Sequence, residues 1–329
     1  MLSLLRYRRL PYNFLIGGLF EEGIMDTSYL PKAKINLMPT FYFKNKSNKL
    51  EPMVDSTFIL RRLEKLYSDR SAVPKSSVLN FLDYLIEDFA DEWLTKATFH
   101  YRWTYDEDIK KAGSTLSRWR SLTDNEETIK PIRKDISERQ ISRLYVVGSN
   151  TTTSDIIEGS YKNILKLMDK HMNNYPYIFG ERPSSSDFAL YGQLTQLAAF
   201  DPTPMKIADN IASRIVAWVG VMEDLSGLEV SNSDWVNSYN LTESFRNIFY
   251  EIGNTYVPVL KANSEAVYQN KEEVKIEING KLWTQKPFYY QSKCLNWIKE
   301  EYEALENKDK NFIDDFLNGT GCEQLFNEK

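Results

Sequence analysis

The sequence predicts an α/β start, an all-α body and a closing β-hairpin-plus-helix extension. Three observations predict it. Short β-runs and one helix fill the first seventy residues; helical periodicity dominates from Val78 to Leu225; and a late Asn279-Gly280 pair sits between two alternating segments. At 329 residues the chain is long for one domain, and its 42% hydrophobic content can bury a sizeable core. The pattern divides it into residues 1–70, 76–235 and 240–329.

Taken in order, Leu2 to Arg9 reads as a short helix and Leu10 to Leu15 as a turn and strand. Asn36 to Phe43 gives a further strand with Pro39 near its start. A proline beside a β-run belongs at an edge, at a special turn or after a cis peptide. Met53-Val54 leads into Asp55-Ser56, which opens a helix from Thr57 to Tyr67. A polar link, 68–77, contains Pro74 and separates this part from the helical body.

Val78 to Ala112 can form one long helix or two nearly continuous ones. Helical spacing puts Phe99, Arg102 and Trp103 on one face, as a substrate wall or as ordinary core, and His100 reads as a structural histidine. Residues 113–154 are polar and predict short helices and loops. Asp155 to Asn174 is amphipathic, with Ile157, Tyr161, Ile164, Leu165 and Met168 on its apolar side. Then comes the stretch around which the chain is organised, Phe179 to Phe200. Ser184 caps a helix there and Asp187 three residues later completes a capping box, ahead of Leu190, Tyr191, Leu194, Leu197 and Ala198. After Asp201, one apolar stripe from Ile207 through Trp218 to Leu225 predicts a single helix ending at Gly227. Such helices with short links make a bundle.

In the last ninety residues, Leu241 to Tyr268 is helical with interruptions near Gly253 and Pro258. Val274–Ile278 and Lys281–Thr284 flank Asn279-Gly280 as a hairpin. A lone hairpin is marginal in water, so it needs support, and Tyr289, Tyr290, Leu295, Ile298, Tyr302 and Leu305 on the next helix are the expected partners.

Composition excludes several functions. A formal charge of −5 and a pI near 5.4, with no strongly basic tract, argue against nucleic acid as partner. No apolar run approaches membrane-spanning length. Cys294 and Cys322 lack metal-ligand spacing and suit a reducing, cytoplasmic setting, with Cys294 an inert packed thiol. With only His100 and His171, no metal site is expected. Arg6, Arg8 and Arg9 without nearby acids suggest an organellar presequence, but Tyr7, Pro11 and Tyr12 fit a folded passage better.

The tight turn of Gly180, Arg182 and Pro183 with the Ser184/Asp187 box resembles the helical domain of the glutathione S-transferase family. The segments LRYRRLPYNF, MPTFYF and VDSTFILRRLEKLY resemble that family's thioredoxin-like domain, read from the end of its first helix. The resemblance implies a truncated thioredoxin-like N-terminal domain, an α-helical second domain and a homodimer. It implies glutathione as co-substrate, its peptide running beside the Met38-Pro39 backbone like an added strand and its γ-glutamyl end on Asp55-Ser56. Asp55 and Ser56 can equally cap their helix with no ligand. It further implies that Phe99, Arg102 and Trp103 flank the pocket for a small electrophile, which glutathione thiolate conjugates or reduces in detoxification. The family's catalytic Tyr, Ser or Cys lies on a turn after a first strand, and this chain starts beyond that point; Ser3 is too late in its helix to take the role, so no catalytic residue is assigned. Loss of that strand is expected to leave the sheet with unpaired backbone groups. The alternative is a non-catalytic glutathione-binding or scaffold protein on the same fold.

Overall fold

Asp55 joins a small sheet to a helix near the start of the chain. The computed structural model describes residues 1–16 and 25–326. They are mostly helical, with two small antiparallel sheets. Helix α1 spans Leu2–Tyr7, strand β1 Thr40–Lys44, strand β2 Leu50–Val54 and helix α2 Ser56–Leu66. Asn45 forms the β1–β2 turn, its side-chain oxygen accepting the N–H groups of Ser47 at 2.9 Å and Lys49 at 3.0 Å. The ladder sets Thr40 opposite Val54, Tyr42 opposite Pro52 and Lys44 opposite Leu50.

Two expectations for this part need correction. Residues 10–16 form no strand, because no described segment pairs with them, and Phe14 is left 57% exposed. The strand expected from Asn36 begins only at Thr40, just after the cis Met38-Pro39 peptide, because Thr40 is the first residue with a ladder partner.

The helical body starts with α3, Ser77–Phe89, a π-turn at Ala90–Leu94 and α4, Thr95–Thr104, which together make a nearly continuous rod. Tyr105 is extended and breaks it, and α5 follows over Asp106–Arg118. Where short helices were expected, α6 runs for 16 residues, Glu126–Ile141, with Pro131 inside it. It is held by its neighbour: Gly113 of α5 lets Ser137 and Arg133 come close. Helix α7 spans Ser154–His171 and α8 Ser185–Leu197. The stripe expected to be one helix is split at Ala212, whose φ of −155° is not helical, into α9, Pro202–Ile211, and α10, Ser213–Met222.

Helix α8 lies at the centre, with Leu190, Leu194 and Leu197 fully buried. Its capping box is formed: Asp187 accepts the Ser184 N–H at 2.9 Å and the Ile178 N–H at 3.0 Å. Burial raises the Asp187 carboxyl to about 7 against these hydrogen bonds. Asp83 of α3 serves the same helix start, accepting the Ser186 N–H at 2.9 Å and the Ser185 hydroxyl at 2.6 Å.

The extension comprises α11, Glu243–Glu251, a second π-turn at Ile252–Tyr256, α12, Val257–Tyr268, strands β3, Val274–Ile278, and β4, Lys281–Gln285, and helices α13, Tyr289–Glu303, and α14, Asn307–Leu317. Asn279 and Gly280 both have left-handed φ, 49° and 76°, as a type I′ hairpin demands. The hairpin packs on α12 rather than chiefly on the following helix, and fully buried Trp283 stacks at 5.1 Å on Trp93 of the first π-turn. Gly253 sits so close to the backbone of Thr320 to Cys322 that a Cβ would lie 2.7 Å from the Cys322 nitrogen.

The first part of the chain is tied to both others. Arg61 of α2 pairs with buried Glu87 of α3 at 2.8 Å, and Arg182 reaches the Tyr7 hydroxyl at 3.1 Å. The hydroxyl of Tyr290 in α13 donates to Asp55, and Phe58 meets Trp297 edge-on at 5.1 Å. Among the described residues no helix is long and apolar enough to cross a membrane.

Candidate functional site

Because Thr40 faces Val54, the residues just before β1 and just after β2 lie at the same end of the ladder. That register brings the cis Met38-Pro39 peptide alongside Asp55-Ser56. Met38 is 57% exposed. Asp55 caps α2, accepting the Thr57 N–H at 3.1 Å with one oxygen and the Tyr290 hydroxyl with the other. Its backbone has φ 79° and ψ 115°, outside the regions a side chain ordinarily allows, at a cost on the order of 1–3 kcal/mol. The two side-chain bonds hold it there. Ser56 opens the helix, so its N–H is one of the unbonded first-turn donors and points where the helix dipole favours an anion.

A group of acids stands behind this helix start. Asp88 ends α3, Asp91 and Glu92 lie on the first π-turn, and Tyr256, Gln291 and Cys294 close over them. π-Turns inside longer helices recur at functional sites because they re-aim side chains. Burial, reinforced by the Glu92 charge, raises the Asp88 carboxyl to about 8, while the Tyr256 hydroxyl donates to it at 2.5 Å. Burial with the Glu87 and Glu92 charges drives Asp91 well above the usual carboxylate range. Glu92 is raised by burial against the opposing charge of Lys96, and burial brings Lys96 itself down to about 8. Burial thus raises all three carboxyls, Asp88, Asp91 and Glu92, above their ordinary range. Burial and the charges of Asp88 and Glu92 push the Cys294 thiol up, which makes it a poor nucleophile.

The other residues singled out from sequence lie elsewhere. Arg102 is engaged by Asp201, with Nε at 3.0 Å from Oδ1 and Nη2 at 2.8 Å from Oδ2, and by Gln196 at 2.7 Å. Trp103 is buried and Phe99 is at the surface. All three belong to α4, which packs among α5, α6, α7, α8 and the 144–147 turn. His100 is buried, with Nδ1 at 2.9 Å from the Ser149 hydroxyl, and burial lowers its pKa. Ser184 and Asp187 cap α8, as described. Ser3 donates its buried hydroxyl to the Met222 carbonyl.

Sequence reasoning missed Asp88, Asp91, Glu92 and Tyr290. The signal was present, since Glu87 to Glu92 places four acids in six residues of an otherwise apolar helix. Tyr290 carried no such signal, because it meets Asp55 across 235 residues.

A groove of about 910 Å³ opens between the 10–15 segment and β1, floored by Leu5 of α1 and Leu63 of α2 and ending at Met38-Pro39. Among the described residues no group of three or more His, Cys, Asp or Glu is placed to hold a metal ion. Comparison with protein-family models, with curated proteins and with solved structures finds no match.

Proposed function

We propose that the chain binds glutathione and is a glutathione S-transferase-like protein with a thioredoxin-like N-terminal part. The single observation that carries this is the ladder register, which sets the Met38-Pro39 segment at the same end as Asp55-Ser56. An extended peptide pairs its main chain with Met38, and its γ-glutamyl carboxylate sits on the Ser56 N–H and hydroxyl at the positive end of α2. The neighbouring Asp55 carboxyl can accept from the ammonium group of the same ligand end. In the transfer reaction the thiolate attacks an electrophilic carbon or a disulfide. No wall is assigned to the electrophile, because Arg102 is engaged by Asp201, Trp103 is buried, and the α4 that carries them with Phe99 packs among α5 to α8. No residue is assigned to lowering the thiol pKa.

Titration calorimetry with glutathione tests the binding step. The double variant Asp55→Ala, Ser56→Ala removes polar partners of a charged group, each worth about 1.5–3 kcal/mol, so affinity should fall at least about tenfold. Unchanged affinity in that variant refutes the assignment. The second reading is a non-catalytic glutathione-binding or scaffold protein on the same fold. Glutathione binding without turnover of an activated aryl halide selects it.

A further inference from the structure

The two edges of the β1–β2 sheet are not equivalent. The Asn45 N–H donates to the Lys49 carbonyl at 2.8 Å, which makes that pair hydrogen-bonded and, by alternation, also Phe43 with Glu51 and Phe41 with Met53. Thr40, Tyr42 and Lys44 then direct their N–H and C=O groups away from β2, and Leu50, Pro52 and Val54 direct theirs away from β1. On the β2 side Pro52 removes the central donor, a device that blunts an edge. On the β1 side no proline interrupts Thr40–Lys44. Among the described residues the outward backbone groups of Tyr42 and Lys44 have no hydrogen-bond partner.

The open edge faces the apolar groove, whose walls are β1 and the 10–15 segment and whose lining includes Tyr12, Phe14, Phe41 and Tyr42. A five-residue strand is about 17 Å long and sits about 4.8 Å from its neighbour. A two-stranded sheet is marginal, and a third strand is the usual remedy. The surroundings are basic. Residues 1–70 carry 12 Lys and Arg against 7 Asp and Glu, in a chain of formal charge −5. Lys34, Lys44, Lys46 and Lys49 are exposed near the groove and the β1–β2 turn.

We propose that the outer edge of β1 docks one extended strand of a partner polypeptide, apolar at alternate positions and acidic at its flanks. Main-chain bonds to Thr40, Tyr42 and Lys44 supply the pairing, alternate side chains enter the groove, and the lysines meet the acidic flanks. A concave groove beside an unpaired edge fits a strand; a bilayer would require a convex apolar face. This goes beyond glutathione binding, which uses the end of the ladder at Met38 and Ser56.

The test uses the full chain and a fluorescein-labelled, end-blocked peptide, Asp-Glu-Val-Thr-Val-Thr-Val-Thr-Glu-Asp, read by fluorescence anisotropy. The informative variant is Tyr42→Pro, because position 42 faces Pro52 in a pair without hydrogen bonds, so proline there deletes an outward N–H and spares the β2 ladder. Tyr42→Val removes the same ring and keeps the N–H. Saturable binding is expected, weakened at least tenfold by Tyr42→Pro and less than threefold by Tyr42→Val, with circular dichroism unchanged in both. Replacing the acidic flanks by lysines should weaken binding at least tenfold. Equal binding by the two variants, or no saturable binding at millimolar peptide, overturns the proposal. A dimer of the chain alone that Tyr42→Pro dissolves in sedimentation also overturns it, by making a second copy the occupant. So does binding to phosphatidylserine vesicles that Tyr42→Pro leaves intact. Glutathione calorimetry on Tyr42→Pro runs in parallel, so loss of the peptide with glutathione retained separates this edge from the Met38/Ser56 site.

Discussion

Replacing Tyr290 by Phe deletes one hydroxyl and tests whether the extension holds the start of α2. The hydroxyl donates to Asp55 Oδ2, whose other oxygen takes the Thr57 N–H. A hydrogen bond to a charged acceptor is worth about 1.5–3 kcal/mol; Asp55 keeps its helix bond and stays near solvent, so a loss of about 1–2 kcal/mol is expected. The strained backbone of Asp55, φ 79°, adds a local effect, because one of its two anchors is gone. Urea denaturation measures the first quantity. Hydrogen exchange of the Thr57 and Phe58 amides measures the second, with protection expected to drop about tenfold. Tyr289→Phe is the control, since that residue is 66% exposed. If Tyr290→Phe and Tyr289→Phe are indistinguishable in both measurements, the extension does not brace the site.

Two further outcomes follow from the packing and the buried charges. The folded protein holds the Asp88 proton up to about pH 8 while an unfolded carboxyl releases it near 4, so this group's contribution to stability is present at low pH and is lost as pH rises between those values. Each such proton gives a slope of about 1.4 kcal/mol per pH unit, and Asp88→Asn should flatten urea-measured stability between pH 5 and 8; an unchanged slope refutes the assignment. Buried His100 and His171 act oppositely, since burial lowers both and stability falls as pH drops below about 6.5. Gly253→Ala drives a methyl into the backbone of Thr320 to Cys322 and should cost about 3 kcal/mol or more, seen as a lower melting temperature; a cost under about 1 kcal/mol would mean the tail gives way freely.

Much of the fold was legible because the responsible interactions are local. Asn279-Gly280 wrote its turn type into two adjacent residues, and Ser184 with Asp187 wrote the start of α8 into four. Asp55-Ser56 announced α2 in the same way. What failed depends on partners distant in sequence. Leu10 to Leu15 alternates like a strand, yet a strand exists only with a neighbour to pair with. The stripe from Ile207 to Leu225 keeps helical spacing through Ala212, and no Gly or Pro marks the break there. The grouping of Asp88, Asp91 and Glu92 depends on the π-turn and on α13, which no local pattern reveals. Arg102 looked available for a ligand because nothing local reveals Asp201, ninety-nine positions away.

The bond between Tyr290 and Asp55 also bears on how the protein is made. Its ends are 235 residues apart, and translation at about 5–20 residues per second takes roughly ten to fifty seconds to cover that stretch. During that interval the nascent chain carries a β1–β2 ladder and an α2 whose first turn lacks its final fastening. Emergence of α13, rather than of the first seventy residues, is the moment at which that end of the molecule can lock.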